Sequence, residues 1–312
     1  MIRERKTCRL CHAKVHPVFA LAPTPIANNY SCFPDAGAQR YPLELSQCES
    51  CSHIQLRHVL TGLFEDYKYQ TPQTVERHLK PSAKKLREQF PRAETVLEIG
   101  SNNGVYLRCL REQGFDPVGV DPAATGPGNY VGYFSSDWAL EYLDNEERSL
   151  DLIVANNVLA HIDDLRDVFE GIEILLKPGG ALVFEVQYFN ALAEARAFDM
   201  IYHEHLDYHT VEPLKRFLLT RGFVMTDCER IHTHGGSIRV TARRRGTQVK
   251  FNESPIDWKW FTEGVNETAA RVKETLRDRK VVALGAAAKA TTLIHQCGIA
   301  DNILFAADDT AQ

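Results

Sequence analysis

The sequence has no run of about 18 apolar residues, the length needed to cross a membrane. Its first residues, MIRERKTCRLCH, contain no apolar stretch of the kind that a signal peptide needs. An excess of positive charge is also missing, because 36 Lys and Arg stand against 41 Asp and Glu. We therefore expect a cytoplasmic protein with no membrane segment and no general nucleic-acid surface.

The composition also excludes disordered, collagen-like and coiled-coil classes. The chain has 312 residues, of which 44% are hydrophobic and 25% charged, both ordinary values for globular proteins. At about 150 residues per domain, this length predicts two domains. The eight cysteines are expected to be reduced, because the cytosol keeps thiols free.

Four of the cysteines form two Cys-x-x-Cys pairs, CRLC and CESC, near the start of the chain. Each such turn brings two thiolates within reach of one ion, and two turns complete the closed tetrahedral shell of structural zinc. Two redox pairs are the alternative, but a thioredoxin-type motif occurs singly beside a βαβ pattern. We therefore predict a structural zinc ion, with no open position for catalysis, on Cys8, Cys11, Cys48 and Cys51.

From Glu94 onward, short apolar strands alternate with amphipathic helices, which predicts a mostly parallel sheet covered on both faces. Ligands of such sheets bind at the carboxyl ends of the strands. The loop GSNNG follows the first strand, and its glycines let the backbone approach a ligand closely. It lacks the third glycine of the G-x-G-x-x-G pyrophosphate motif.

The residues around this loop suit a nicotinamide or an S-adenosylmethionine site. Asp121, at the end of the second strand, is placed to accept hydrogen bonds from ribose hydroxyls. Glu98, two residues before the first glycine, fits an ammonium and a sulfonium better than a diphosphate. The candidate cofactor-binding residues are Glu98, Gly100, Asn102, Gly104, Asp121 and Asn156.

The segments LEIGSNNG, GVDPA, ANNVLAHIDD and LLKPGGALVFEV resemble the class I S-adenosylmethionine-dependent methyltransferases. IYHEHLDYHT, HGGSIRV and GAAAKATTLIHQCG, with the four N-terminal cysteines, resemble the sugar C-methyltransferases that act on nucleotide-linked keto-deoxysugars. The resemblance implies an α/β protein with a Rossmann-like methyltransferase sheet, an N-terminal zinc-binding module and a partial C-terminal Rossmann-like lobe. It divides the chain into a zinc module at 1–65, a methyltransferase domain at 66–245 and a nucleotide-sugar lobe at 246–312.

Methylation at carbon needs a base with a pKa of about 7 that removes a proton next to a carbonyl, a task suited to histidine. By resemblance, the base of the Tyr-His-Glu-His segment is His205, and Tyr202 and Glu204 contact the sugar and orient the base. Tyr69 matches an active-site tyrosine of the family. On an extended strand, His203 would face the opposite side.

Metal chemistry is a weaker interpretation of the same segment. A zinc-protease site fails on spacing, because Leu206 stands where H-E-x-x-H requires glutamate. A metal pair on His203 and His205 has no evident third ligand. His161, where a helix begins, is interpreted as a capping or packing residue.

Near the end of the chain, KVVALGAAAKATTLIHQCG repeats the strand, glycine and helix pattern. Its small residues let backbone amides approach an anion, although the segment is not a P-loop. By resemblance, this lobe holds the nucleotide diphosphate of the substrate, with Gly285 and Lys289 as binding residues. Since members of the family continue further, we expect the lobe to be incomplete.

The sequence therefore predicts S-adenosylmethionine-dependent C-methylation, at C-3 of a nucleotide-diphosphate 4-keto-deoxysugar. The alternative is a truncated, catalytically impaired remnant that acts as a zinc-stabilised binding protein. An NAD-dependent oxidoreductase is disfavoured by the missing third glycine.

Overall fold

A computed structural model describes residues 2–27, 38–63, 73–146, 148–285 and 287–308. Its strands are β1 (Ile2–Glu4), β2 (Val15–Thr24), β3 (Tyr41–Cys48), β4 (Ile54–Leu56), β5 (His58–Leu60), β6 (Thr95–Ile99), β7 (Asp116–Asp121), β8 (Asn129–Val131), β9 (Leu150–Asn156), β10 (Leu176–Gln187), β11 (Asp207–Tyr208), β12 (Val224–Ile231), β13 (Ser237–Arg243), β14 (Val281–Leu284) and β15 (Ile303–Ala307). Its α-helices are α1 (Gln73–Gln89), α2 (Val105–Glu112), α3 (Ser136–Glu146), α4 (Leu165–Leu175), α5 (Phe189–Ala195), α6 (Val211–Thr220), α7 (Trp258–Thr275) and α8 (Ala288–Cys297).

The two Cys-x-x-Cys turns meet at one point. Their four sulphur atoms all lie within 4.8 Å of one another, with those of Cys11 and Cys48 at 3.4 Å. A backbone hydrogen bond closes each turn in the same way. The N–H of His12 donates to the Cys8 carbonyl at 3.0 Å, and the N–H of Ser52 donates to the Cys48 carbonyl at 3.1 Å. His12 and Ser52 both have a left-handed backbone. These separations suit four sulphurs bound at about 2.3 Å around one tetrahedral ion.

The turns belong to a four-stranded antiparallel sheet with the order β11-β4-β3-β2. Between the cysteine pairs lie β2, which extends to Thr24, and β3. The prolines of β2, Pro17 and Pro23, are tolerated because β2 is an edge strand. The other edge strand, β11, comes from far along the chain. The N-terminal module and the larger unit therefore share one sheet.

The larger unit is built on a seven-stranded sheet with the order β12-β13-β10-β9-β6-β7-β8. The strands from β8 to β10 are parallel, while β13 pairs antiparallel with β10 and β12. Every residue of β6 is buried, as a central parallel strand covered by helices on both faces requires. The expected Rossmann-like methyltransferase sheet is confirmed.

Local capping explains where the covering helix α4 begins. The Asp164 carboxylate accepts hydrogen bonds from the N–H groups of Arg166 and Asp167, at 3.2 and 3.3 Å. The KPGG sequence after α4 lies within β10, at a register shift between Leu176 and Ala181. Gly179 and Gly180 lie at this irregularity, and β10 is paired on both sides from Ala181 to Glu185.

The last unit packs α7 and α8 beside a parallel pair, β14 and β15. Hydrogen bonds attach α8 to both of the other units. The Thr292 hydroxyl donates to the Ile201 carbonyl at 2.7 Å, and the Ala22 N–H donates to the Gln296 amide oxygen at 2.8 Å. Within the described ranges, no helix combines the length and apolar character needed to cross a membrane.

Removing one sulphur should abolish metal binding by the N-terminal module. Because the module's sheet is small and the four sulphurs bring its two turns together, we expect Cys48→Ser to lose bound zinc and to lower Tm by roughly 10 °C or more. Metal analysis and thermal unfolding check this. Cys228→Ser, a cysteine outside the cluster, should keep about one zinc per chain; a full metal content in Cys48→Ser would contradict the assignment.

A second consequence of the fold concerns acid stability. His209 is buried directly after β11, and neither ring nitrogen has a hydrogen-bond partner among the described residues. Burial lowers the pKa of His209 to about 4, from 6.5. Between these values the unfolded chain binds a proton that the folded chain does not, so the free energy of unfolding falls as pH falls, by about 3 kcal/mol in total.

His209→Gln removes this proton linkage while keeping a polar side chain. We expect it to flatten the decrease of unfolding free energy from pH 7 towards pH 4, measured by denaturant unfolding at a series of pH values. His16→Gln, at an exposed position, should leave the slope unaltered. If both variants kept the wild-type slope, His209 would not be the source of the linkage.

Candidate active site

The predicted cofactor residues lie at the carboxyl edge of the parallel strands. β6, β7 and β9 are neighbours in the sheet and end at Ile99, Asp121 and Asn156. Neighbouring parallel strands present their carboxyl ends at one edge of a sheet, where ligands bind. The structure therefore brings the 98–104 loop, Asp121 and Asn156 together on the expected side.

Backbone geometry explains the glycines of this loop. Gly100 has φ +78°, and a Cβ there would lie 2.8 Å from the Cβ of Val158. Asn102 is also left-handed, with φ 47°. Gly104, with φ +70°, precedes α2, whose first turn receives no side-chain cap from the described residues. The N–H groups at the start of α2 therefore remain available to a ligand.

Buried polar groups at this edge indicate what kind of ligand fits. The Oε2 atom of Glu98 and the Nδ2 atom of Asn156 are buried with no hydrogen-bond partner in the described part of the chain. Burial and the nearby Asp121 raise the pKa of Glu98 well above its ordinary value. Asp121 is partly buried and accepts from the Ala123 N–H at 2.7 Å. S-adenosylmethionine carries ammonium and hydroxyl groups. These groups can form hydrogen bonds with the polar atoms of Glu98, Asn156 and Asp121.

The Tyr-His-Glu-His segment is a turn, which corrects the strand expected there. The His205 N–H donates to the Tyr202 carbonyl at 3.1 Å and closes the turn. The Nδ1–H of His205 donates to the Met200 carbonyl at 3.1 Å, which leaves Nε2 unprotonated to accept from the Tyr202 hydroxyl at 2.9 Å. His203 faces the N-terminal module, where its Nε2–H donates to the Pro42 carbonyl at 3.2 Å.

Contacts from distant segments hold both ends of this turn, and they explain why it is not a strand. Before it, the Ile201 carbonyl is bound by Thr292. After it, the Leu206 N–H donates to the Ala160 carbonyl at 2.7 Å. Ala160 lies a few residues beyond the end of β9, so the turn is placed beside the edge that carries Asn156.

A histidine that the sequence analysis assigned to capping or packing lies beside His205. The ring centroids of His161 and His205 are 4.9 Å apart, and the Nδ1–H of His161 donates to the Glu204 carbonyl at 2.7 Å. Glu204 and His205 are both buried. No local pattern in the sequence marks this contact, because it joins segments far apart in the chain.

The electrostatic environment of His205 differs from the expected one. Burial, then the charges of His161 and His234, lower the pKa of His205 well below its ordinary value. We expected a pKa of about 7, as suits a general base. The imidazole is instead neutral throughout the physiological range, because burial disfavours its charged form.

Sequence reasoning also missed a buried ion-pair group at the carboxyl end of β10. Glu185 accepts from His78 Nε2–H at 2.8 Å and from Arg239 Nε–H at 2.8 Å. Burial alone would raise the pKa of Glu185, but His78 and Arg239 hold it below its ordinary value. The carboxylate therefore stays charged and ties α1 to the sheet.

The other predicted residues are less closely associated with the turn. Gly285 and Lys289 are exposed, and the Gly285 N–H already donates to the Ala307 carbonyl at 2.7 Å, so that amide is not free for an anion. The pKa of His234 is lowered mainly by burial and, to a smaller extent, by the charge of Lys289. The Lys289 ammonium therefore lies within electrostatic reach of the site. Tyr69 lies outside the described residues.

Comparison with known proteins agrees with this geometry. Residues 68–227 match the methyltransferase-domain family, and residues 8–62 match a zinc binding domain. C-methyltransferase NovU from Streptomyces niveus is 28% identical, over 99% of this chain and 83% of its own length.

Two solved methyltransferase structures are similar to part of this chain at low identity. An O-methyltransferase family protein from Burkholderia thailandensis is 19% identical, with a TM-score of 0.40 over 56% of this chain and 59% of its own. The 1,6-didemethyltoxoflavin-N1-methyltransferase of the same organism is 21% identical, with a TM-score of 0.39 over 55% of this chain and 80% of its own.

The methyltransferase-domain match spans more than half of the 312 residues. The chain belongs to this family, as an S-adenosylmethionine-dependent C-methyltransferase that carries an N-terminal zinc-binding domain.

Proposed function

We propose that the enzyme methylates C-3 of a nucleotide-diphosphate-linked 4-keto-deoxysugar, with His205 as general base. The observation that carries this proposal is the fixed tautomer of His205, whose unprotonated Nε2 lies in a buried turn beside the cofactor edge. The resemblance of the Tyr-His-Glu-His and GAAAK segments to the sugar C-methyltransferases supports the sugar as substrate.

In this mechanism, Nε2 of His205 takes the proton from C-3. The electron pair of the broken C–H bond forms the C-3–C-4 double bond of an enolate, and negative charge develops on the C-4 oxygen. In this structure the Tyr202 hydroxyl donates its single proton to Nε2; when the sugar binds, that O–H turns to the C-4 oxygen and leaves the Nε2 lone pair free to take the C-3 proton. S-adenosylmethionine supplies, when bound, a methyl group on a positively charged sulfur that a carbon nucleophile takes up.

The lowered pKa of His205 has two opposing effects on this step. It keeps the imidazole unprotonated across neutral pH, but it also makes Nε2 a weaker base. Donors to the C-4 oxygen offset the weaker basicity, because they make the C-3 proton more acidic. We assign this role to Tyr202, and contact with the sugar to the buried Glu204.

The proposal also assigns the cofactor, the zinc ion and the nucleotide part of the substrate to parts of the chain. The cofactor lies against the 98–104 loop, Asp121 and Asn156, and the four N-terminal cysteines hold zinc as a structural ion. The division into units at 1–65, 66–245 and 246–312 is part of the proposal, with the last unit holding the nucleotide diphosphate near Lys289. Tyr69 is assigned to the sugar site by its resemblance to the family alone.

Proton removal can be tested separately from methyl transfer. In deuterated water with S-adenosylhomocysteine bound, wild-type enzyme should exchange the C-3 proton of a thymidine-diphosphate-linked 4-keto-6-deoxyhexose, followed by NMR. We expect His205→Asn to slow exchange at least about 100-fold, since general base catalysis contributes a factor of about 10²–10⁴. The acidic limb of the kcat/KM profile of the wild type should lie well below pH 6.5, where burial places the pKa of His205.

His203→Asn is the matched control, because that imidazole faces Pro42. Both variants should bind S-adenosylmethionine as the wild type does, measured by calorimetry. Exchange in His205→Asn at nearly the wild-type rate would remove His205 as the base. A wild-type protein that binds S-adenosylmethionine but neither exchanges nor methylates nucleotide-linked keto-sugars would refute the proposed substrate class.

The cofactor edge is tested at Asp121. Replacing a charged hydrogen-bond acceptor by an amide removes about 1.5–3 kcal/mol, so Asp121→Asn should weaken S-adenosylmethionine binding about 10- to 100-fold. Asp116→Asn, at the opposite end of β7 and exposed, should bind normally. Equal affinity of the two variants in calorimetry would argue against a role for Asp121.

A further inference from the structure

Arg9 lies inside the first Cys-x-x-Cys turn, between two of the cysteines. Its side chain is fully buried, which is rare for an arginine and requires acceptors for its donors. The Arg9 N–H donates to the Gln55 amide oxygen at 2.9 Å, so the backbone is fixed to β4 at the point where the side chain leaves the turn.

The guanidinium reaches the segment that follows His205. Its Nη1 donates to the Leu206 carbonyl at 3.1 Å and to the Leu56 carbonyl at 3.4 Å. The same nitrogen lies 3.8 Å from the Asp207 carboxylate. Leu206 is the residue directly after His205, so Arg9 holds the chain at the carboxyl end of the turn.

Asp207 makes this attachment ionic. It is fully buried and accepts from the Nε2–H of His53 at 2.7 Å. Burial alone would raise the pKa of Asp207, but the charge of Arg9 and the His53 bond hold it below its ordinary value. Loss of either member of such a pair leaves a buried charge without its partner.

The same guanidinium also reaches the second histidine segment. Nε of Arg9 donates to the Asp163 carboxylate at 3.1 Å, and Asp163 is two residues after His161. One side chain from the cysteine turn therefore contacts both segments that form the histidine pair. A planar guanidinium can make these contacts at once because its donors point in fixed, divergent directions.

We propose that Arg9 is a positioning residue for the reaction, which fixes His205 through the Leu206 carbonyl and the Asp207 carboxylate and so couples the cysteine turn to the active site. The proposal rests on the proposed function of His205. Misplacement of a reacting group by about 1 Å lowers rates by about 100-fold, so small displacements of the turn have large effects on turnover.

Arg9→Met tests this, with Arg5→Met as the matched control. Arg5 donates to the same Asp163 oxygen, at 2.9 Å, and its other described side-chain hydrogen bond goes to the Thr7 carbonyl. We expect Arg9→Met to lower kcat for the thymidine-diphosphate keto-sugar about 10- to 100-fold, with the KM for S-adenosylmethionine and the zinc content unchanged. Arg5→Met should stay within about twofold of the wild type, since none of the described hydrogen bonds of Arg5 reaches the segment 203–208.

Arg9→Lys should restore only part of the lost kcat, because an ammonium can face Asp207 but cannot reproduce the guanidinium's contacts. If Arg9→Met does not fold, Asp207→Asn removes the charge that Arg9 faces and serves the same test. Equal kcat values in Arg9→Met and Arg5→Met would overturn the proposal.

Hydrogen exchange gives a readout that needs no substrate. In Arg9→Met the amides of residues 203–208 should exchange faster than in the wild type, while those of β6 stay protected. If Arg9→Met kept the wild-type protection of residues 203–208, the proposal would be overturned. An equal loss of protection in β6 of this variant would overturn it as well. If His205→Asn keeps its turnover, the proposed base is wrong. If His205→Asn loses turnover but Arg9→Met keeps the wild-type kcat and protection, His205 stands as the base and only the role of Arg9 fails.

Discussion

The short pairing between β11 and β4 is the constraint on which the rest of the active site depends. Asp207 pairs with Gln55 and Tyr208 with Ile54, and the Leu56 N–H donates to the Leu206 carbonyl at 2.8 Å. These bonds place the residues after His205 in the sheet of the N-terminal module. Two residues of strand are not stable alone, so their position depends on a well-ordered β4. Order in β4 depends in turn on the cysteine turns that flank the module's sheet.

This arrangement explains why so many polar side chains are buried where the two sheets join. Arg9, His53, Asp207 and His209 are all nearly inaccessible to solvent. Each buried polar atom without a partner costs about 1–3 kcal/mol, which the apolar clusters on either side must offset. A junction made only of apolar side chains would be more stable, but it would allow β11 to shift in register along β4. Directional bonds to Leu206 and Asp207 admit one register and therefore one position for the turn.

Local patterns in the sequence predict much of this fold and little of the site's interior. The cysteine spacing, the alternation of strands and helices from Glu94 and the glycines of the loop are local, and the structure places them as expected. The contact of His161 with Glu204, the ion pairs of Glu185 and the pairing of β11 with β4 join segments that are far apart in the chain. Such contacts leave no periodicity to detect. The turn at Tyr202–His205 likewise has no local signal in the sequence, since distant partners hold its two ends.

The histidines of the site show how the fold sets its chemistry. Burial lowers the pKa of His161, His203, His205 and His234, so the turn and its surroundings hold neutral imidazoles at physiological pH. Neutral rings can accept a proton and can also pack closely without mutual repulsion, as the 4.9 Å approach of His161 to His205 requires. Once His205 has taken a proton, the imidazolium is buried beside another ring, and a nearby negative charge stabilises it. An enolate oxygen supplies that charge, so the burial that weakens the free base favours the ion pair formed during proton transfer.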